Sequence, residues 1–188
     1  WAHLASGPMP TCIAIAIQSY PLVPPLHIGG IGRKVAPAIT TAAGIIDGPV
    51  ILTGHSAGGQ LVARMMTMTS PLDETILKRI RHVLAISGLH DLRPIMKRTM
   101  NAQLRIDMAE AQSESPALLE PLSNIRLTCW VGGAERAEFV RQNALLANIW
   151  TGLGAATEVV IKPDRNNDTV LVGLTAVSHS PPTALLAE

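Results

Sequence analysis

A chain of 188 residues is long enough for one domain of the usual 100–200 residues or so and too short for two ordinary ones. A composition that is 47% hydrophobic and 15% charged supplies a core and excludes disorder as the main state. Fifteen Lys and Arg against 14 Asp and Glu give a formal charge of +1 with no basic block, which excludes a surface that tracks a phosphate backbone, and no run reaches the about 18 apolar residues of a membrane span.

The first predicted element is a strand over 12–18, apolar on consecutive positions and ended by Pro21, Pro24 and Pro25. Weak helical spacing over 32–43 is interrupted at Pro37. A strand over 50–53 leads into a helix over 60–68, and a third strand over 83–87 is followed by a break at 91–94. The polar, Met- and Ala-rich stretch 100–119, with Pro116 and Pro121 at its end, reads as a helical insertion over the top of a sheet. Strands over 127–131 and 157–161 flank a helix over 138–150, where Phe139, Val140, Leu145, Leu146 and Ile149 share one broad stripe. Short apolar runs alternating with helices predict an α/β fold, a mostly parallel sheet with helices on both faces, in one domain spanning 1–188.

Cys12 and Cys129 lie in apolar runs, outside any CxxC and away from His at ligand spacing. They read as buried thiols of a reducing, cytoplasmic compartment, with no metal and no cofactor implied. The chain starts at Trp1 without Met or a signal-like segment, so a processed chain or a fragment is expected.

The chemistry is carried by Gly54-His55-Ser56-Ala57-Gly58-Gly59, directly after the 50–53 run and directly before helical residues. G-x-S-x-G in strand, turn, helix order is the context of a nucleophile elbow: a strained, tight turn projects the Ser hydroxyl above the strand ends. Gly54 and Gly58 are read as the positions that relieve the crowding, Ser56 as the nucleophile, and the Ala57 N–H as one oxyanion donor. His55 points away around such a turn and is read as structural.

An elbow Ser needs a His to take its proton and a carboxylate to orient that His, in the chain order Ser, acid, His. Glu135, just beyond the 127–131 run, fits the acid, although a solvated surface Glu fits that spacing equally well. The loop 162–168, where the His should stand, contains none. His3, His27, His82 and His90 share no spacing and read as solvated or structural.

Together with the elbow, Ser87-Gly88-Leu89-His90-Asp91-Leu92-Arg93-Pro94, Gly132-Gly133-Ala134-Glu135 and Glu138-Phe139-Val140-Arg141-Gln142 resemble the arylformamidase (kynurenine formamidase) branch of the α/β-hydrolases over the whole chain. The "SG-x-x-DLRP" and "EF-x-RQ" segments discriminate far better than the elbow. The resemblance implies an α/β-hydrolase fold and hydrolysis of an aryl formamide, N-formylkynurenine in tryptophan catabolism, or of related small esters. The partner is then a small-molecule substrate, not nucleic acid or a membrane. Ser56 matches the family nucleophile and Glu135 the triad acid, usually Asp. The family's His falls on Asn167, 32 residues beyond Glu135 (167 − 135).

The family's oxyanion motif, "H-G-G-x-W", precedes the first strand seen here, and His27-Ile28-Gly29-Gly30 is not that motif. The chain is therefore expected to lack the family's first strands, to leave a bare sheet edge and to self-associate, as in a homodimer. Without base and oxyanion segment, turnover is expected to be negligible. His179, twelve residues beyond Asn167 (179 − 167), is the substitute base to consider. Two alternatives stay open: a catalytically silent remnant serving as a binding protein, and a general carboxylesterase using the same Ser.

Overall fold

Four of the five aliphatic runs form strands in the computed structural model, which describes residues 13–175. These are β1 (Val50–His55), β2 (Ile80–Ile86), β3 (Arg126–Gly132) and β4 (Ala156–Lys162), paired in parallel in the order β1-β2-β3-β4. Because all four run the same way, every carboxyl end lies on one edge of the sheet. Each strand hands over there to a loop that carries one element of the site.

Helices α1 (Ile28–Ile45), α2 (Ala57–Arg64) and α6 (Ala137–Gly152) cover one face, and a single turn, α3 (Glu74–Leu77), leads into β2. Leu52, Val83, Ala85, Leu127 and Cys129 of the strands meet Ile31, Val35, Leu61, Leu146 and Trp150 in a single core. On the other face Leu84, Ile86 and Trp130 pack against Val170 and Leu171 of the 3-10 helix Thr169–Thr175. Two-sided cover leaves β2 and β3 each buried at every position but one. The expected α/β architecture is present. Cys129 is a free thiol in this core, pushed up to about 12 by burial, while Cys12 lies outside the described residues. Among the described residues, no helix is long and apolar enough to cross a membrane.

Three expectations are corrected. Residues 13–18 form no strand, and most of them are exposed. A strand exists only by pairing, and β1, the edge of the sheet nearest in sequence, pairs with β2 alone. The helix expected to fail at Pro37 runs through it for 18 residues. Pro37 sits on the exposed side, so the carbonyl it leaves without an N–H partner faces water, while Ile31, Val35, Ala36 and Ala43 bury the opposite face.

The stretch 100–119 is helical but broken into α4 (Asn101–Leu104), α5 (Met108–Glu114) and a 3-10 turn at Pro116–Leu118. Asn101 causes the break. Its amide bonds both the N–H and the carbonyl of Ile106, and Asp107 then caps the new helix by accepting from the Glu110 N–H at 2.8 Å.

The amino ends of the strands are closed by Arg79. From the residue before β2 it reaches back to donate to the carbonyls of Ala43, Ile46 and Gly48 at 2.7, 2.6 and 2.8 Å, satisfying the end of α1 that has no basic residue of its own.

Candidate active site

The elbow stands where the sequence places it. Ser56 follows β1 with φ 54° and ψ −114°, a conformation that L-residues rarely adopt, and α2 begins at the next residue. Its N–H donates to the Ile86 carbonyl at 2.8 Å, which pins the turn to the end of β2. Helix α2 therefore starts at Ala57 rather than at Gln60, and the Ala57 N–H lies in its unpaired first turn.

The steric demand is distributed differently from the expectation. A Cβ on Gly54 would lie 2.1 Å from the Gly58 carbonyl oxygen, and one on Gly59 would lie 3.0 Å from Gly88 Cα and from the Ile86 oxygen. A Cβ on Gly58 meets nothing closer than the Tyr20 hydroxyl at 3.9 Å. Gly54 and Gly59 are thus the obligatory glycines. Gly58 contributes its backbone oxygen to the crowding at Gly54.

Glu135 and Asn167 are brought together at the same sheet edge. The Asn167 side-chain amide donates to Glu135 Oε2 at 3.1 Å, so the two residues that the resemblance matched to the base and the acid are in contact. Glu135 Oε1 accepts from the Gly132 N–H at 2.8 Å and from the Ser87 hydroxyl at 2.5 Å. His55 Nε2 donates to the Asn167 carbonyl at 2.9 Å. The imidazole inside the elbow is thereby a tether from β1 to the loop after β4, in keeping with its structural reading.

These bonds close a ring over the strand ends. Ser56 is tied to β2, Ser87 N–H to the Trp130 carbonyl at 2.7 Å, and Gly133 and Ala134 N–H to the carbonyls of Lys162 and Arg165 at 2.7 and 3.0 Å. His55 returns from the β4 loop to β1. The site is held by all four strands. His179, the substitute base considered above, and His3 lie outside the described residues.

The two discriminating sequence segments turn out to be one network. Gln142 on α6 accepts from the N–H groups of His90 and Asp91 at 2.9 and 2.7 Å and donates to the Asp91 carbonyl and to Glu138. Arg93 forks onto Asp91 and Arg141 onto Glu138; each hydrogen bond holds its carboxyl below the usual range. "DLRP" and "EF-x-RQ" thus clamp the loop after β2 to α6. Their chemistry is structural, and they meet the site through Ser87 and Gly88.

Inside that loop His90 is fully buried. Burial pushes its imidazole down to about 4, and the adjacent Asn143 amide offsets this only in part. The folded state therefore holds His90 neutral while the unfolded chain protonates it below about 6.5. The contribution is complete above that pH and is lost as pH falls toward 4. Stability is expected to drop by about 2 kcal/mol between pH 7 and pH 5 from this group alone. Urea melts at the two pH values, with His90→Leu as the control lacking the titration, measure it; an equal drop in His90→Leu would remove His90 as the cause. His82 is also buried, with Nε2 2.9 Å from the Thr128 hydroxyl, while exposed His27 lies 3.4 Å from Glu110.

Ser87, Gly132 and Gln142 are the residues that sequence reasoning left without a site role. The available signal was Ser87-Gly88 at the end of a predicted strand, repeating the Ser-then-small pattern of the elbow. Among the described residues, no three His, Cys, Asp or Glu side chains converge as a metal site.

Comparison with known proteins agrees with the fold. No family model matches the chain. A crystal structure from Silicibacter sp. TM1040, of a protein provisionally named a thioesterase, is 37% identical and matches all of this chain and 69% of its own, with a TM-score of 0.90. A Pyrobaculum calidifontis esterase matches 83% of this chain and 58% of its own at 16% identity and a TM-score of 0.64. Esterase 2 of Thermogutta terrifontis matches 86% and 61% at 15% identity and a TM-score of 0.59; at such identities the likeness is one of fold. The kynurenine formamidase of Salmo salar is 31% identical over 97 residues, about half of this chain and a third of that protein. Parallel sheet, strained Ser elbow and these matches together place the chain in the α/β-hydrolase superfamily.

Proposed function

We propose that this is a serine-hydrolase site for small aryl formamides and esters, with Ser56 as nucleophile, Glu135 as acid and the Ala57 N–H as an oxyanion donor. Asn167 stands in the position of the base. The observation that carries this reading is the Asn167 Nδ2 to Glu135 Oε2 bond at 3.1 Å. In a working triad the imidazole takes the Ser proton as the oxygen attacks the carbonyl carbon and returns it to the leaving group. A carboxamide can donate to Glu135 but cannot accept that proton at accessible pH. Ser56 then attacks only as a neutral hydroxyl, and turnover by the chain is negligible.

The formamide preference is supported by the likeness to kynurenine formamidase and by the two clamp segments. A second reading, acyl esters or thioesters, is favoured by the extensive match to the Silicibacter protein. Wild type and Asn167→His assayed on N-formylkynurenine, p-nitrophenyl acetate and an acyl thioester separate the two. Wild type should equal Ser56→Ala on all three, and Asn167→His should favour the formamide in kcat/KM. Preference for the thioester would replace the first reading by the second.

A further inference from the structure

Ser87 is fully buried and lies in the left-handed region at φ 51°, immediately after β2, as Ser56 lies immediately after β1. A non-glycine residue there is strained. Glycine would take that backbone freely, so the cost of Ser is sensible only if its hydroxyl does something. That hydroxyl donates to Glu135 Oε1 at 2.5 Å. We propose that Ser87 is a positioning residue for the site acid: it fixes which oxygen of Glu135 faces residue 167.

The geometry carries this further than a chance contact. Oε1 receives Ser87 from the end of β2 and the Gly132 N–H from the end of β3, leaving Oε2 for Asn167. Two donors from two strands define the plane of the carboxylate, which one donor would leave free to turn. A Glu has one more rotatable bond than the Asp usual in the resembled family, so the longer arm needs the second tether.

The Ser87 turn itself cannot yield. A Cβ on Gly88 would lie 2.4 Å from His90 Cε1, and Gly59 of the elbow presses on Gly88 from the other side. Gln142 fastens His90 and Asp91 further along the same loop. The hydroxyl is thus delivered by a turn wedged between the elbow and α6.

The inference rests on the hydrolase reading for its purpose, but its test does not. Ser87→Gly removes the hydroxyl and suits the backbone, so the fold should persist with an unchanged or higher Tm; Ser87→Ala keeps the strain and serves as the second variant. In otherwise wild-type protein, solvent exchange of the Asn167 side-chain amide, read by NMR, should quicken about tenfold in both variants and in Glu135→Ala. In the Asn167→His background, fluorophosphonate labelling of Ser56 should fall about tenfold on Ser87→Gly at equal Tm. Amide exchange that stays at the wild-type rate in both Ser87 variants, yet rises in Glu135→Ala, overturns the proposal. Faster exchange without any labelling of Asn167→His would uphold Ser87 and defeat the hydrolase reading instead.

Discussion

Gly54→Ala is expected to destabilise the chain by about 3–5 kcal/mol, lowering Tm by about 10 °C or more, whereas Gly58→Ala should stay within about 1 kcal/mol of wild type. The asymmetry follows from what each added methyl would meet. At Gly54 it would be 2.1 Å from a backbone oxygen of α2, and neither partner can move: Ser56 is bonded to β2, and α2 packs on β1 and β2. At Gly58 the first neighbour is a tyrosine hydroxyl at van der Waals distance, and Ala is a better helix former than Gly by about 1 kcal/mol. Thermal melts of the two variants decide it. Equal tolerance of both would mean that the elbow is not wedged as described.

Read from the sequence alone, G-x-S-x-G names its two outer glycines as a pair, but only contacts show that they act differently. The same distinction runs through the fold. The two central strands were legible because burial on both faces demands apolar runs, as in Val83 to Ile86, whereas the edge strands β1 and β4 bury far less of their length and showed only as short aliphatic runs. Residues 13–18 have an equally apolar pattern yet form no strand, since pairing is a property of a neighbour and not of the segment. Pro37 misled for the opposite reason: local propensity argued for a break, and the buried stripe of α1 overrode it.

Within the candidate site, order and spacing pointed to Ser56 and Glu135 and the resemblance pointed to Asn167, and the structure brings the last two into contact. Ser87 was not legible, because a serine after a strand acquires meaning only from a carboxylate 48 residues away in sequence. Gln142 was visible as part of a resemblance and not as chemistry. Its function, reading the backbone of two loop residues, leaves no trace in the composition of either segment.

Asn167→His is expected to have the largest effect on reactivity. Asn Nδ2 and His Nδ1 are both bonded to Cγ, so an imidazole at 167 can keep the 3.1 Å bond to Glu135 Oε2 and place Nε2 on the far side of the ring. A positioned general base contributes about 10²–10⁴-fold. The rate at which a fluorophosphonate modifies Ser56 should rise by that order. Turnover of p-nitrophenyl acetate should rise less, since it also needs deacylation and since the Ala57 N–H is the one oxyanion donor proposed for the site.

Fluorophosphonate labelling of the wild-type chain, read by mass spectrometry at Ser56 beside Asn167→His and His179→Ala, tests the absence of a base most directly. The expected result is no labelling of wild type above Ser56→Ala and ready labelling of Asn167→His. Robust labelling of wild-type Ser56 would contradict the account: its loss in His179→Ala would make His179 the base, and its survival there would mean that Ser56 is activated by a group the site described here does not contain.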